Sequence, residues 1–283
     1  MLKFAYHTHS IFCDGKNSLK EMVLAALEKG LTHYGFSSHA PVPFENGFAI
    51  RKEQTQAYLQ QCRKLKEEYK NRIRLYTSME FDYITGIVED AAERAKGYNL
   101  DYVIASVHSV SAEINGERAM WFIDGGKQDV YDEGLERVFG GDIRKGVEAF
   151  FSQTCDMIRN VQPDIVAHLD KIKMHNRNRY FHEDDKWYED LVMQTLEVIS
   201  KSPKTVIEVN TRGLYKGRAD DYFPSRKWLK HIRKMNIPIT ISTDCHNVTE
   251  IDNLFAETWQ MLSALGFKHI WYYEDEWKKY KIK

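Results

Sequence analysis

Two short stretches of the chain hold imidazole and carboxylate groups at a spacing that suits metal coordination. HTHSIFCDG (residues 7–15) carries His7 and His9 around a threonine and then Asp14, and STDCH (242–246) carries Asp244 and His246 around a cysteine. In an extended segment successive side chains alternate, so His7 and His9 face one side together, as do Asp244 and His246. His39, Glu80, His108 and His168 add donors at the ends of other apolar runs. Imidazole nitrogen and carboxylate oxygen without thiolate suit Zn²⁺, Mn²⁺ or Fe²⁺. So many donors exceed one tetrahedral ion and imply at least two metals.

These residues can meet only if the elements that carry them converge. Short apolar, β-branched or aromatic runs recur at 2–9, 32–39, 73–81, 102–108, 164–169, 205–210, 237–246 and 268–273, each a strand by length and residue type. Helical periodicity fills residues 18–30, 52–70, 85–97, 143–161, 185–201, 225–235 and 250–265, with Ser18 placed to cap the first helix and Gly30 to end it. Alternating strand and helix give an α/β fold with parallel strands and helical crossovers, either an open doubly wound sheet or a closed barrel. Neither GxGxxG nor a Walker A sequence is present to favour a nucleotide-binding open sheet.

In a parallel barrel the C-terminal strand ends form the active face. Any one strand-end His is ordinarily a satisfied polar residue, but six of the 11 histidines fall at such positions. His33 begins its run and belongs at the opposite end. His182, His231 and His269 have no partner spacing, and His175 stays outside the metal set. Residues 111–134 read as a long loop with room for a short helix, of the kind that serves as a lid or binding loop.

Composition excludes several classes. The 283 residues carry 40 Lys+Arg against 41 Asp+Glu, a formal net charge of -1, so there is no global basic field and no extended nucleic-acid surface. No apolar run approaches the roughly 20 residues that span a bilayer, and MLKFAYHTH lacks the apolar core of a signal peptide, which predicts a cytoplasmic protein. The four cysteines, at 13, 62, 155 and 245, show no CxxC spacing and read as reduced thiols. No linker or repeat divides residues 1–283, which read as one domain.

Taken in order, HTH (7–9), CDG (13–15), SSH (37–39), ME (79–80), VH (107–108), AHLD (167–170), EVNT (208–211) and STDCH (242–246) resemble the polymerase and histidinol phosphatase (PHP) superfamily, in its histidinol-phosphatase branch. The resemblance runs through nearly the whole chain. It implies a distorted (β/α)7, TIM-like barrel with two or three divalent ions (Zn, Mn or Fe) at the C-terminal ends of the strands. Carried over, His7, His9 and Asp244 share one metal, and Glu80 bridges to a second held by His108 and His168. Asp14, His39 and His246 furnish a third site; some relatives have histidine in place of Asp14.

The implied activity is metal-dependent hydrolysis of a small phosphomonoester, foremost L-histidinol phosphate to L-histidinol in histidine biosynthesis. Alternatives are another small phosphomonoester or nucleotide ends, and a non-catalytic metal-binding scaffold, whose expected eroded ligands are not seen. Glu80, Asp14, His39 and Asp244 are the candidate catalytic residues, with Asp14 or His39 placed to help protonate the leaving oxygen. A phosphate also calls for cationic clamps, and the planar fork of Arg suits it best. Arg212, just after the EVN strand end, is the first candidate, followed by Lys173 and Arg177.

Overall fold

The apolar runs form short parallel strands with both faces covered, as a sheet flanked by helical crossovers requires. The computed structural model describes residues 2–202 and 204–282. In chain order the first half comprises β1 (Phe4–Ala5), α1 (Leu19–Glu28), β2 (His33–Phe36), α2 (Thr55–Tyr69), β3 (Arg74–Thr77), β4 (Glu80–Asp82), α3 (Ala91–Tyr98), β5 (Ile104–Ser106), β6 (Ser109–Ile114), β7 (Glu117–Phe122) and α4 (Gln128–Phe139). The second half comprises α5 (Ile143–Val161), β8 (Ile165–Val166), α6 (Lys186–Ser200), β9 (Val206–Asn210), α7 (Arg212–Tyr215), α8 (Arg226–Lys234), β10 (Ile239–Ser242), α9 (Phe255–Ala264), β11 (His269–Tyr273) and β12 (Trp277–Lys281).

Two parallel sheets result, ordered β1-β2-β3 and β10-β9-β8-β5-β4. The run 73–81, expected as one strand, is broken at Ser78 and Met79, so that β3 pairs with β2 while β4 pairs with β5. Single parallel bridges join the two sheets at His39↔Glu80 and at Thr8↔Cys245. Both junctions fall among the candidate ligands, so the backbone itself draws those residues together.

The first helix begins as expected: Ser18 and Glu21 form a reciprocal capping box, which satisfies N–H groups the first turn leaves free. Leu19, Met22, Val23 and Ala26 face the core, and Gly30 follows with φ +72. His33 opens β2, at the end away from the ligands. Among the described residues no helix is long and apolar enough to cross a membrane.

Two expectations need correction. Residues 268–273 do not extend the parallel series; they pair antiparallel with β12 in a terminal hairpin. Tyr273 and Trp277 of that hairpin pack on Tyr6, Tyr76 and Tyr102, and the Tyr6 hydroxyl donates to the Tyr273 carbonyl at 2.8 Å. Residues 111–134 are not a loop. They contain most of an antiparallel β6–β7 hairpin and the start of α4. Asn115 and Gly116 form its two-residue turn with φ 52 and 83, the conformation that an Asn-Gly pair adopts at low cost.

Trp121 anchors that hairpin. It is fully buried, and its indole N–H donates to the Tyr131 carbonyl at 2.8 Å. Gly134 of α4 and Gly146 of α5 leave room for the ring, since a Cβ at either position would stand 2.5 or 2.6 Å from a Trp121 carbon. Helix propensity favours Ala over Gly by about 1 kcal/mol, whereas overpacking a rigid aromatic costs about 1–3 kcal/mol. Gly134→Ala and Gly146→Ala are therefore expected to lower the urea midpoint. Gly97→Ala, where a Cβ meets nothing within 4 Å, should raise it by the equivalent of about 0.4–1 kcal/mol.

Candidate metal centre

His7 and His9 follow β1, His39 follows β2, Glu80 opens β4, His108 follows β5, His168 follows β8, and Asp244 and His246 follow β10. Asp14 reaches in from the turn before α1. All nine expected ligands meet in one volume, where the side chains of His7 and His9 are fully inaccessible and only Asp14 has substantial exposure, at 35%. His168 and Asp244 adopt positive φ, of 25 and 49. Such backbone is unfavourable for a residue with a Cβ, and clusters where side-chain aim matters.

Glu80 lies at the middle. Its Oε2 is 3.0 Å from His7 Nε2, 3.2 Å from His39 Nδ1 and 3.5 Å from His9 Nε2. Its Oε1 is 3.2 Å from His168 Nε2 and 3.5 Å from His108 Nε2. Asp244 Oδ1 is 3.2 Å from His9 Nε2 and 3.7 Å from His7 Nε2, and Asp14 Oδ2 is 3.2 Å from His246 Nε2. Three donor groups have ligand atoms mutually close enough for one ion: His9, Asp14, His39 and His246; His7, His9 and Glu80; and His39, Glu80 and His108. His9, His39 and Glu80 each belong to two of these groups, so the sets overlap more than the division expected from sequence.

The donor chemistry fits metal. His7 Nε2, His9 Nε2, His39 Nδ1 and Glu80 Oε2 are buried without a hydrogen-bond partner of acceptable geometry among the described residues. Leaving one such atom unsatisfied ordinarily costs about 1–3 kcal/mol. Surrounding hydrogen bonds explain their aim. His7 Nδ1 donates to Glu208 at 2.8 Å, His108 Nδ1 to Asp82 at 2.5 Å, and His246 Nδ1 to the Asp244 carbonyl at 3.0 Å. Each bond fixes a tautomer whose Nε2 lone pair points inward, the usual way protein groups orient metal-binding imidazoles.

The electrostatics call for cations. Burial pushes the Glu80 carboxyl up, but His7, His39 and His108 outweigh it and hold the group well below its usual range. Asp244 is likewise held low against burial by His7 and Arg212. Burial disfavours charge on His7 and His108, yet Glu80 with Glu208 raises the first and Asp82 with Glu80 raises the second to about 9. Burial, His246 and His39 keep His9 neutral. Protons on His7 and His108 are thus what the carboxylates draw in when no stronger cation is bound.

Sequence reasoning missed several participants. Glu208 is fully buried in β9 and accepts from His7, from the His168 backbone N–H at 2.7 Å and from Asn210 at 2.8 Å. Its one sequence signal is a carboxylate inside the apolar run TVIEVN. Asp82, Asp124 and Lys171 are the others; Lys171 Nζ contacts Asp124 Oδ2 at 2.8 Å and stays charged against burial.

A cleft of roughly 410 Å³ opens over the centre, with Arg212, Arg218 and Lys171 in its lining. Arg212 Nη1 donates to the Asp244 carbonyl at 2.7 Å. The other two expected phosphate clamps lie outside this lining. Lys173 is buried against Asp170 and Glu183, at 2.7 and 3.4 Å, and Arg177 is exposed and donates to the Gly217 carbonyl at 2.7 Å. Lys171–Lys173 form one turn of 3-10 helix, in which residues two apart cannot face the same way, so Lys171 faces the cleft and Lys173 the core.

The PHP domain model matches residues 5–212, which holds most of these ligands. The chain belongs to the PHP domain family. It is 25% identical over 265 residues to the probable histidinol-phosphatase of Deinococcus radiodurans, covering 92% of each chain. The hisK chain from Listeria monocytogenes, provisionally assigned as a histidinol phosphatase, superposes with a TM-score of 0.77 at 22% identity, over 90% of this chain and 99% of that one. The Lactococcus lactis histidinol phosphate phosphatase, solved with zinc, L-histidinol and phosphate, gives a TM-score of 0.65 at 20% identity over 98% and 99%. The α/β PHP fold is thereby common to the three chains.

Glu208 offers the sharpest test of how the imidazoles are held. Glu208→Gln supplies one acceptor oxygen where three donors converge, and is expected to weaken metal affinity about tenfold to hundredfold. Competition with a chromophoric chelator measures this, and unchanged affinity would contradict the orienting role.

Proposed function

We propose that this chain is a cytoplasmic, metal-dependent phosphomonoester hydrolase whose substrate is L-histidinol phosphate. The observation that carries the reading is the set of buried, unpartnered imidazole and carboxylate atoms, of which those of His39 and Glu80 belong to residues lining a cleft that also presents cationic side chains. The names of the relatives support the substrate. For the architecture we favour a distorted (β/α)7, TIM-like barrel, with β3 and β4 together as one stave and the bridges Thr8↔Cys245 and His39↔Glu80 as its seams.

In this reading two or three divalent ions (Zn, Mn or Fe) are held by His7, His9, Asp14, His39, Glu80, His108, His168, Asp244 and His246. Such ions supply an acidified water and neutralise phosphate oxygens. Arg212, fixed by the Asp244 carbonyl, presents its remaining N–H groups to a phosphate oxygen. Lys171, whose Nζ lies 4.0 Å from Asp244 Oδ2, adds a second positive charge. Asp14 is held ionised by His246, His39 and His9 despite burial, so it serves as a proton acceptor or an orienting anion.

Elemental analysis of the purified protein should find at least two metal ions per chain. Chelation should abolish turnover, and separate readdition of Zn²⁺, Mn²⁺ and Fe²⁺ identifies the productive ion. Glu80→Gln should leave the fold intact and remove most activity, whereas His33→Asn should alter it little. The substrate reading expects L-histidinol phosphate to exceed other phosphomonoesters in kcat/KM, and an even profile would sink it.

Arg212→Ala should lower kcat/KM roughly tenfold to hundredfold, the value of a charge-assisted hydrogen bond of about 1.5–3 kcal/mol. It should also weaken inhibition by inorganic phosphate. Arg212→Lys should restore only part, because Lys lacks the fork.

A further inference from the structure

The end of the protein away from the metal centre carries a second concave site, and its charge is one-sided. A pocket of roughly 290 Å³ opens between the end of α8, the residues leading into β10 and the β11–β12 hairpin, with Arg233, Asn236, Lys268, His269, Trp271 and Lys279 in its lining. The candidate ligands Asp244 and His246 follow the opposite end of β10. Among the described residues no carboxylate lines this pocket.

Elsewhere on the same elements the cations are paired: Arg226 with Asp221 at 3.1 Å, Lys227 with Asp184 at 2.6 Å and Lys278 with Glu274 at 3.1 Å. Arg233, Lys268 and Lys279 are exposed and form no ion pair among the described residues. Arg233 occupies the last turn of α8, where a cation suits the helix dipole. An edge strand often carries lysine to deter pairing with other chains. That accounts for Lys279 by itself, but not for its convergence with Arg233 and Lys268 from other elements. The hairpin register sets Lys279 opposite Trp271 and Lys281 opposite His269, so both strands bring basic side chains to one face.

The frame of the pocket is pinned. The Ile237 N–H donates to the Ile232 carbonyl at 3.1 Å, the Phe267 N–H to the Leu262 carbonyl at 3.0 Å, and the Ile282 N–H to the Lys268 carbonyl at 2.9 Å. Asn236 and Gly266, with φ 56 and 84, turn the chain after α8 and α9. The Trp271 ring is half-buried, and Lys279 Nζ lies 5.2 Å from its centroid. A flat apolar surface and a charge thus stand side by side.

Converging cations with no carboxylate between them attract phosphate oxygens, and three permanent charges exceed what a monoanion neutralises. An accessible indole takes a flat base by stacking. The volume, close to the lower bound of about 300 Å³ for small-molecule pockets, suits a compact ligand.

We propose that this pocket binds a nucleoside polyphosphate, with the base on Trp271 and the phosphate chain on Arg233, Lys268 and Lys279. The site is separate from the candidate metal centre and does not depend on the phosphatase reading.

The test titrates the metal-loaded protein with the non-hydrolysable imido analogue of ATP and with tripolyphosphate, following heat and tryptophan emission. The analogue should bind, quench the emission, and lose affinity as salt screens the exposed charges. Arg233→Gln, Lys268→Gln and Lys279→Gln should each weaken it about twofold to fivefold, and the triple variant about tenfold to hundredfold, with metal content and far-UV circular dichroism unchanged. Trp271→Leu should remove most of the quench and weaken the analogue about fivefold or more while sparing tripolyphosphate. Arg212→Ala, which alters the cleft over the metal centre, should leave this binding as it is. Loss of binding in Arg212→Ala but not in the triple variant would put the nucleotide in the cleft and overturn the proposal. Three further results also overturn it: no binding to the wild-type chain, equal effects of Trp271→Leu on the analogue and on tripolyphosphate, or tighter binding of a single-stranded oligonucleotide than of the analogue.

Discussion

Six imidazoles and six carboxylates, from Asp14, Glu80, Asp82, Asp124, Glu208 and Asp244, crowd into one largely inaccessible volume. The unmet demand of these groups for positive charge is the constraint on which the rest of the architecture depends. A solitary ionised carboxylate would be very costly to bury. The groups are tolerable together because His7, His9, His39, His108 and His246 each lie against at least two carboxylates, and because Lys171 and Arg212 bring fixed charge to the rim. Parallel strands suit this arrangement, since they bring residues from the whole length of the chain to one set of strand ends.

Preorganisation is distributed through the surrounding protein. Glu208 holds His7 and the backbone of His168 at once, so it sets two candidate ligands from different strands with one side chain. Asp82 fixes His108 from the neighbouring strand β4. The strained backbone at His168 and Asp244 is held in place by the same network. Stability and site geometry are therefore bought from shared residues, and changes at these positions report on both.

How much could be read from sequence follows from how local each signal is. His7 with His9, and Asp244 with His246, were legible because one-residue spacing in an extended segment carries its own geometry. Helices such as α1 were legible through apolar periodicity and a capping box. The Asn115-Gly116 turn was also local, but the charged and irregular residues around it obscured the alternation of the hairpin. Lys171 and Lys173 could not be told apart, because the tight turn that sends them to opposite sides leaves no trace in residue type. Glu208 and Asp82 acquire their roles from histidines on other strands, which no local window contains.

The bridge between Thr8 and Cys245 closes the site with residues from the first and last strands of the parallel series. His7 and His9 emerge from the ribosome long before Asp244 and His246, so during synthesis they have no completed cage to enter. The ligand set can assemble only once β10 has been made and has docked beside β1. Under the metal-dependent reading, completion of the candidate cage is tied to a late step of chain maturation, and an arrested or truncated nascent chain would expose an incomplete set of candidate donors to whatever ions the cell supplies.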